Sequence, residues 1–273
     1  MSSLKKVAVI GTGVIGTGWI IRFLAHNKIV YAYDKDINLK KKIIIEIKRA
    51  WPYTKKLFNK KKLNFKNFKY FTSIKETLKD ADFIQECATE NYSLKTNLIR
   101  IIGKYAKVNA IISSSSSGLL PTRIFSKCKN AERGIIGHPF NPVYLLPALE
   151  IVPGKKTSKA ILKKANRFYK SVSMNPIMVK HELPGYLSDR LQEALWREGL
   201  HIINEGHANT EDLDRAIEDG PGLRWSLMGT FLTFHLAGGK KGMKHMLDQF
   251  GPALKLPWTK LKSPTLTKKL VNR

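Results

Sequence analysis

Short apolar runs alternate with longer amphipathic ones along roughly the first two thirds of the sequence. Runs of the first kind predict buried strands, and runs in which apolar residues recur every three or four positions predict helices. Strands are predicted at "KVAVIG", "KIVYAYD", "DADFIQECA", "NAIISSS", "RGIIGH", "LEIV" and "NPIMVK". Helices are predicted at "GVIGTGWIIRFLAHN", Lys40 to Arg49, "SLKTNLIRIIGKYA", where Ser93 is expected as the N-cap, and "SKAILKKANRFYKSV". This alternation predicts an α/β domain built on a doubly wound, mostly parallel sheet.

The pattern changes after "HELPGY", which runs from His181 to Tyr186. Four helical stretches follow without a strand, and they cover Leu187 to Glu205, Thr210 to Asp219, Trp225 to Ala237, and Met243 to Phe250. Glycines and Gly-Pro pairs separate these stretches, as is typical of helix ends. We therefore predict two domains, the α/β domain over residues 1–183 and a smaller all-α domain over residues 184–273.

The composition is that of a globular chain. Of the 273 residues, 43% are hydrophobic, and no apolar run reaches the length of a membrane span. The first strand begins near Lys5, so we expect no signal or transit peptide. Cys87 and Cys128 lie far apart and outside any metal-binding spacing. We expect reduced thiols, no metal site and a cytoplasmic protein.

The net charge of +27 includes one strongly basic segment. Thirteen Lys and Arg lie between Lys35 and Lys69, and the part after Trp51-Pro52 is expected to be poorly ordered or helical. A phosphate-binding surface for nucleic acid or an anionic coenzyme is one interpretation. The other, which we favour, is a lysine-rich solvated face, because no nucleic-acid module or stacking aromatic array accompanies the charge.

A glycine-rich turn follows the first predicted strand. In Gly11-Thr12-Gly13-Val14-Ile15-Gly16, the first glycine permits a tight turn, the second allows close approach of a diphosphate, and the third allows helix–strand packing. Asp34 ends the second strand, 23 residues after Gly11, where its carboxylate can accept hydrogen bonds from an adenosine ribose. The motif in this context predicts a Rossmann-type dinucleotide site. Asp34 favours NAD, whereas the adjacent Lys35 leaves NADP open.

Two ionisable residues stand in the apolar stretch "GHPFNPVYLLPALEIV". A lone histidine in such a stretch is usually a satisfied core residue, but His138 closes a strand in a sheet whose strand ends should face a nicotinamide. If Glu150 bonds one imidazole nitrogen, the other is available to remove an alcohol proton. The serine run Ser113 to Ser117 is either a solvated loop or a source of a hydroxyl at another strand end.

The motifs "GTGVIG", "SSSSGL", "HPFNP…E" and "PGYLSDRL" together resemble the 3-hydroxyacyl-CoA dehydrogenase superfamily over nearly the whole chain. Three C-terminal stretches, "DRLQEALWREGLHIINEG", "DGPGLRWSLMGTFLTFHLAGG" and "QFGPALKLPWTKL", resemble its L-carnitine 3-dehydrogenase branch. The resemblance implies NAD-dependent oxidation of a 3-hydroxy acid, L-carnitine or a relative. The helices after Leu183 are too few to bury their own apolar faces, so we expect these faces to pack against the first domain and against a second copy, as a homodimer. Members of that branch are expected to continue beyond "PWTKL", so the C-terminal domain of this sequence is expected to be shortened.

The resemblance also implies roles for individual residues. His138 matches the catalytic base and Glu150 its carboxylate partner. Ser117 matches the hydroxyl that contacts substrate oxygen and cofactor, and Asn141 matches an amide that orients nicotinamide and substrate.

Three further positions match functional residues of the family. Glu90 and Lys95 match a pair that contacts the nicotinamide-side ribose. Asp189 stands where acyl-CoA members place an asparagine, and its charge would suit a substrate with a quaternary ammonium group. Alternatively, Asp189 only pairs with Arg190 or another cation.

Two other functions stay open from the sequence. A 3-hydroxyacyl-CoA or sugar-acid dehydrogenase on the same scaffold would explain the basic segment, and a non-catalytic dinucleotide-binding protein would keep the glycine turn without chemistry. The presence of Ser117, His138 and Glu150 together speaks against the second. We expect no nucleic-acid partner and no membrane association.

Overall fold

The computed structural model describes residues 4–60, 62–260 and 262–272, so Lys61 of the basic segment lies outside the described residues. The strands are β1 (Lys6–Ile10), β2 (Ile29–Tyr33), β3 (Phe68–Phe71), β4 (Phe83–Glu86), β5 (Ile111–Ser114), β6 (Gly134–Pro139), β7 (Ala148–Pro153) and β8 (Asn175–Met178). They form one sheet of eight strands in the order β3-β2-β1-β4-β5-β6-β7-β8. The first six strands of that order run parallel, β7 is antiparallel to β6, and β8 is parallel to β7. The predicted doubly wound, mostly parallel sheet is confirmed.

Helices surround this sheet and continue beyond it. They are α1 (Val14–Ala25), α2 (Leu39–Leu57), α3 (Ile74–Leu78), α4 (Tyr92–Tyr105), α5 (Pro121–Ile124), α6 (Lys159–Lys170), α7 (Ser188–Glu205), α8 (Thr210–Glu218), α9 (Pro221–Trp225), α10 (Thr230–Ala237), α11 (Gly242–Phe250) and α12 (Lys268–Val271). Past residue 187 the described residues contain helices and no strand, as predicted. None of the helices described is both long and apolar enough to cross a membrane.

Alternate residues of the strands supply two apolar cores, one on each face of the sheet. Val7 and Val9 of β1 face one core, and Ala8 and Ile10 face the other. Burial on both faces explains why the strands read as continuous apolar runs rather than as alternating ones.

The chain divides into two compact units, one that ends at Asp189 and one that begins at Arg190. The predicted boundary between residues 183 and 184 lies in the turn before this division and stays a prediction.

Of the two alternatives left open for the part of the lysine-rich segment after Trp51-Pro52, the helical one holds as far as Leu57. Helix α2 runs through Trp51-Pro52 to Leu57, although proline removes one helical hydrogen bond. Buried Ile43, Ile47, Ala50 and Thr54 anchor one face of the helix on both sides of the proline, and this packing outweighs the lost bond. The later part of the segment forms β3, which pairs with β2 as an edge strand and which the sequence reading missed.

Two other local predictions are wrong. The N-cap of α4 is Asn91, whose side chain accepts the N–H of Leu94, and not Ser93. The helix expected from Trp225 to Ala237 is broken, because α9 ends at Trp225 and Gly229 caps a separate helix α10.

Candidate active site

The glycine turn between β1 and α1 has the geometry that a diphosphate needs. Gly11 has a φ of +94°, and its N–H donates to the carbonyl of Tyr33, 2.9 Å away. A Cβ at Gly16 would come within 1.9 Å of the Gly11 carbonyl oxygen, whereas a Cβ at Gly13 would meet no atom within 4 Å. The space above Gly13 is therefore open at the N-terminus of α1, where unpaired N–H groups favour an anion. Thr12, Val14 and Ile15 complete the turn.

Asp34 directly follows β2 and faces this turn. Its Oδ2 accepts hydrogen bonds from the Thr12 N–H at 2.9 Å and from the Thr12 hydroxyl at 2.8 Å. The carboxylate thus lies beside the turn, at the position where a ribose would be held. The turn and this carboxylate together fit NAD.

A cavity of about 690 Å³ opens from the turn along α1 and α2. Its lining includes Thr12, Gly13 and Asp34, and also Asn141 and Tyr144. The fold therefore brings Asn141, more than a hundred residues away in sequence, to the cavity that begins at the glycine turn.

Glu90 and Lys95 form part of a charged cluster at the carboxyl edge of the sheet. Lys95 is fully buried, with its Nζ 2.9 Å from Oε1 of Glu86, also fully buried, and 3.5 Å from Oε2 of Glu90. Oε1 of Glu90 accepts the Ser117 N–H at 3.0 Å and the Ser116 hydroxyl. The structure thus brings the predicted Glu90, Lys95 and Ser117 together.

Glu86 ends β4 and was missed by the sequence reading. Its carboxylate also accepts the Ser114 hydroxyl and the Ala88 N–H. Its position at the end of an apolar strand, the same kind of position as that of Asp34, is the pattern that would have identified it. Because a buried carboxylate needs partners, Glu86 fixes where Lys95 lies.

His138 and Glu150 face each other across β6 and β7. They are register partners of the antiparallel pair, and the imidazole Nδ1 lies 2.9 Å from Oε2 of Glu150. Glu150 is fully buried, and His138 is nearly so. When ionised, the carboxylate can only accept, so Nδ1 carries the proton and the lone pair of Nε2 is left available.

The second oxygen of Glu150 binds the start of α7. Oε1 accepts the N–H groups of Leu187 and Ser188 at 2.9 and 3.0 Å. Burial by itself would raise the pKa of Glu150, but the hydrogen bond with His138 and these two N–H groups outweigh burial and lower the pKa. Glu150 therefore stays ionised beside the imidazole at neutral pH.

Tyr186, which the sequence reading also missed, supports the His138 ring. The two ring centroids lie 5.7 Å apart, and the Tyr186 hydroxyl donates to the carbonyl of Leu119 at 2.7 Å. Tyr186 has a φ of +45° and follows Gly185, whose φ is +69°. A bulky residue with positive φ is rare, and here the resulting turn directs the N–H groups at the start of α7 to Glu150.

Asp189 lies on the other side of the imidazole. Its Oδ2 is 3.8 Å from Nε2 of His138, the nitrogen that Glu150 leaves available. The side chain of Asp189 is about a third exposed. The position that resembled the asparagine of acyl-CoA members is therefore adjacent to the candidate base.

A buried polar network crosses the strands beneath these residues. The Tyr169 hydroxyl lies 2.7 Å from both the Ser113 hydroxyl and Oε1 of Gln85, and Nε2 of Gln85 donates to the Ser115 hydroxyl at 2.7 Å. Nε2 of Gln85 also donates to the carbonyl of Gly137, the residue before His138, at 3.3 Å. The network therefore joins the ends of β4, β5 and β6.

Across the ranges that the structure describes, no group of three or more His, Cys, Asp or Glu side chains is placed to hold a metal ion. Cys87 and Cys128 are free thiols, and burial raises the pKa of each.

Two family profiles match the chain. The NAD-binding domain of 3-hydroxyacyl-CoA dehydrogenase matches residues 6–182, and the C-terminal domain of the same family matches residues 185–273. An L-carnitine dehydrogenase of Oceanobacillus iheyensis is 51% identical over 270 residues, which cover 99% of this chain and 88% of the relative. The L-carnitine dehydrogenase of Pseudomonas putida is 47% identical over 272 residues, which cover all of this chain and 85% of the relative.

Solved structures show the same fold. An NAD⁺-dependent dismutase, 5-formyl-3-hydroxy-2-methylpyridine 4-carboxylic acid 5-dehydrogenase, superposes with a TM-score of 0.85 at 23% identity and covers 96% of this chain and 83% of its own. (S)-3-hydroxybutyryl-CoA dehydrogenase from Ralstonia eutropha has a TM-score of 0.72 at 25% identity and covers 90% and 85%.

Proposed function

The chain belongs to the 3-hydroxyacyl-CoA dehydrogenase family, and from that premise we propose that it oxidises the 3-hydroxyl group of L-carnitine to a ketone, reversibly. It is an NAD-dependent oxidoreductase. The observation that carries the carnitine proposal is the carboxylate of Asp189, 3.8 Å from Nε2 of His138, because such a charge beside the base suits a substrate with a quaternary ammonium group. The identity of about half the residues to L-carnitine dehydrogenases supports it.

His138 is the general base of the proposed reaction. Its Nε2 accepts the proton of the substrate hydroxyl while NAD⁺, when bound, accepts the hydride from C3. Glu150 keeps the proton on Nδ1, and its negative charge stabilises the imidazolium that forms. Both oxygens of Glu150 already have partners, which hold the imidazole in a single orientation.

Ser117 and Asn141 position the substrate and the nicotinamide. Ser117 follows β5, the neighbour of β6 in the sheet, so its hydroxyl leaves the same edge as His138. There it can donate to the oxygen that becomes the ketone. Asn141 lines the cavity that begins at the glycine turn, where its amide can orient the carboxamide side of the cofactor. Of the pair Glu90 and Lys95, the partly exposed Glu90 would contact the ribose next to the nicotinamide, and the buried Lys95 would hold the Glu90 carboxylate in place.

The local charge of the site is opposite to that of the whole chain. Glu86, Glu90, Glu150 and Asp189 contribute four carboxylates, and Lys95 is the cation paired with two of them. The chain as a whole carries +27. The two carboxylates beside His138, those of Glu150 and Asp189, favour a trimethylammonium group over an anionic group, and Asp189 faces the nitrogen that Glu150 leaves available.

A second candidate substrate is a 3-hydroxyacyl-CoA. It is favoured by Lys42 and Arg49 of α2, which line the same cavity as the glycine turn and could meet coenzyme A phosphates. Arg49 already pairs with Glu46 at 3.0 Å. No carboxylate beside the base is needed for an acyl-CoA, so Asp189 favours carnitine.

Initial rates of NADH formation test the proposal. Purified protein is supplied with NAD⁺ and, in turn, L-carnitine, D-carnitine, 3-hydroxybutyrate and 3-hydroxybutyryl-CoA, with the His138→Ala variant as the control for background reduction. We expect turnover of L-carnitine that exceeds that of the others by an order of magnitude or more. Preferred turnover of the acyl-CoA would overturn the carnitine assignment, and equal rates in the His138→Ala variant would show that the base is elsewhere.

We infer a homodimer from the apolar surface of the second unit. Helix α10, "TFLTFHLA", is apolar on nearly every side and yet buries none of its residues, and Phe231 is 82% exposed. An apolar helix is normally covered, and a second copy of the chain meets this need. Sedimentation velocity of the wild type and of the Phe231→Lys variant tests this inference. We expect the wild type to be a dimer and the substitution to weaken it. A wild type that is monomeric and active at micromolar concentration would refute the dimer.

We infer the cytoplasm as the compartment. The two cysteines are free thiols, which suits a reducing environment, and the cofactor is an intracellular dinucleotide. Fractionation of the source cells tests this directly, and recovery of the protein outside the cytoplasmic fraction would contradict it.

A further inference from the structure

Arg22 of α1 is a buried cation that is held by carbonyl oxygens alone. Its side chain has no exposed surface, and the guanidinium donates to the carbonyls of Val143 at 2.7 Å, Leu146 at 2.9 Å, Val172 at 3.0 Å and Ser173 at 2.9 Å. Among the described residues, none of the ion pairs involves Arg22. Dipoles of the backbone therefore balance this charge.

Burial of a charge costs free energy unless hydrogen bonds compensate for the hydration that the charge loses. Burial lowers the pKa of Arg22 to about 10, which still leaves the guanidinium protonated at neutral pH. An apolar side chain of similar length would avoid the desolvation, but it would leave buried carbonyls without donors. The guanidinium is therefore present for its five N–H groups, which match several acceptors at fixed angles.

Two of the four carbonyls belong to the segment that joins the catalytic strands. Residues 140–147 connect β6, which carries His138, to β7, which carries Glu150, and Asn141 lies near their start. This connection lies outside helix and strand, so its carbonyls have no ladder partners. The N–H groups of Leu145 and Leu146 both donate to the carbonyl of Pro142, which closes a tight turn within it.

Helix α1 contacts the same connection one turn earlier. Gly18 lies four residues before Arg22, so both are on one face of the helix. A Cβ at Gly18 would come within 2.9 Å of Cβ of Val143, a fully buried side chain. The helix thus meets the connection at two successive turns, by close packing and by hydrogen bonds.

His26 extends this face by one more turn. Its Nδ1 lies 2.8 Å from the carbonyl of Arg22 and its Nε2 2.8 Å from the Ser173 hydroxyl. A carbonyl only accepts, so Nδ1 carries the proton and Nε2 accepts from Ser173. Burial lowers the pKa of His26 to about 4, so the ring adds no second charge beside Arg22 at neutral pH.

We propose that Arg22 is a positioning residue that fixes the connection 140–147 to the helix whose N-terminus receives the cofactor diphosphate. We call the hydrogen bonds from Arg22 to the connection 140–147 the clamp. Because α1 is a rigid helix that begins at the glycine turn, the clamp sets the distance between the cofactor and Asn141. Small errors in such distances slow hydride transfer strongly. This inference rests on the proposed function for the role of Asn141, whereas the clamp itself needs no substrate to be tested.

The chain offers a matched control in Arg133. It is also a buried arginine that donates to carbonyls, here those of Gly103, Lys107, Val108 and Ala110. These carbonyls lie at the end of α4 and before β5, at the edge of the sheet opposite to the site. Replacement of Arg133 removes hydrogen bonds of the same kind, from a buried guanidinium to carbonyls, and leaves the contacts of the connection 140–147 in place.

Amide hydrogen exchange of Leu145 and Leu146 is the first readout. In Arg22→Met we expect exchange at these two amides to quicken by an order of magnitude or more, and in Arg133→Met we expect no change there. Arg22→Lys, which keeps the charge but reaches fewer carbonyls, serves if Arg22→Met does not fold. Unchanged exchange in a folded Arg22 variant would overturn the clamp. If the wild type fails to oxidise carnitine, hydrogen exchange at these two amides still tests whether Arg22 holds the connection 140–147.

Turnover in a double-mutant cycle with Asn141→Ala is the second readout. We expect Arg22→Met, or Arg22→Lys in its place, to lower kcat about tenfold or more with little change in the Kd of NADH, and to add nothing in the Asn141→Ala background. Arg133→Met should lower the melting temperature but leave kcat near the wild-type value. Losses from Arg22 and Asn141 that multiply would show that Arg22 acts other than by holding Asn141.

Discussion

His138 and Glu150 are register partners on β6 and β7, with Nδ1 of the imidazole 2.9 Å from a carboxylate oxygen. The ladder hydrogen bonds of an antiparallel pair therefore set the geometry of the dyad, and a shift of one residue in either strand would place the two side chains on opposite faces of the sheet. The pairing register of β6 and β7 thus determines whether His138 and Glu150 can form a hydrogen bond.

Replacement of His138 by alanine should remove most turnover and leave cofactor affinity largely intact. The loss should be roughly 10²–10⁴-fold, which is the range of general acid–base catalysis. Steady-state rates and NADH fluorescence titration measure the two effects. Glu150→Gln should cost less, because the base remains while its tautomer is less well held. Near-normal turnover in His138→Ala would show that another group takes the proton.

Glu150 should make stability depend on acid pH. The fold lowers the pKa of Glu150 below its ordinary value of 4.5, so the ionised carboxylate stabilises the folded state. This contribution is complete above the ordinary pKa and is lost as pH falls through the lowered pKa. The difference in melting temperature between the wild type and Glu150→Gln should therefore be largest near neutral pH and shrink below about pH 4. A constant difference across that range would contradict the lowered pKa.

Asp34→Ala should weaken NAD binding and relax the discrimination against NADP. The substitution removes the acceptors for a ribose and a charge that repels a 2′-phosphate. Asp36→Ala is the matched control, since Asp36 carries the same charge two residues later and bonds the N–H of Asn38 on the exposed side. Kd values for both dinucleotides provide the test. Equal effects of the two substitutions would place Asp34 away from the ribose.

Asp189→Asn should raise the KM for L-carnitine more than that for an uncharged 3-hydroxy acid. The change keeps the shape of the side chain and removes a charge 3.8 Å from the base, and the loss should be about ten- to a hundredfold in kcat/KM at most. Glu193→Gln is the control, because Glu193 lies one turn further along α7 and pairs with Arg197.

If Asp189 instead holds a helix or a cation in place, both substrates should lose equally and the melting temperature should fall. Measurement of kcat/KM for both substrates alongside the melting temperature separates the two roles. Equal losses would refute charge recognition and weaken the case for carnitine.

The strand pattern of the sheet was predictable because burial on both faces leaves apolar runs that sequence alone reveals. The strand Phe68–Phe71 was not, since an edge strand needs less apolar sequence and this one follows a lysine-rich stretch. The break between Trp225 and Thr230 was missed because apolar residues continue through it.

The candidate site divides in a similar way. Gly11, Asp34, His138 and Glu150 could be proposed from strand ends and from the cost of burying a carboxylate. Glu86 could have been proposed in the same way, because it ends an apolar strand, although its pairing with Lys95 could not. Arg22 could not, because its role depends on partners that only the folded chain brings together. Long-range hydrogen bonds to irregular backbone leave no local trace in the sequence.

The contrast between a carboxylate-rich site and a chain of +27 has a kinetic meaning. At low ionic strength the positive field of the excess lysines reaches further into solution, so it attracts the anionic dinucleotide, whereas L-carnitine is a zwitterion without net charge and feels little long-range force. Beside His138 the local charge is negative, from Glu150 and Asp189. We therefore expect added salt to slow the association of the dinucleotide and to leave that of L-carnitine nearly unchanged.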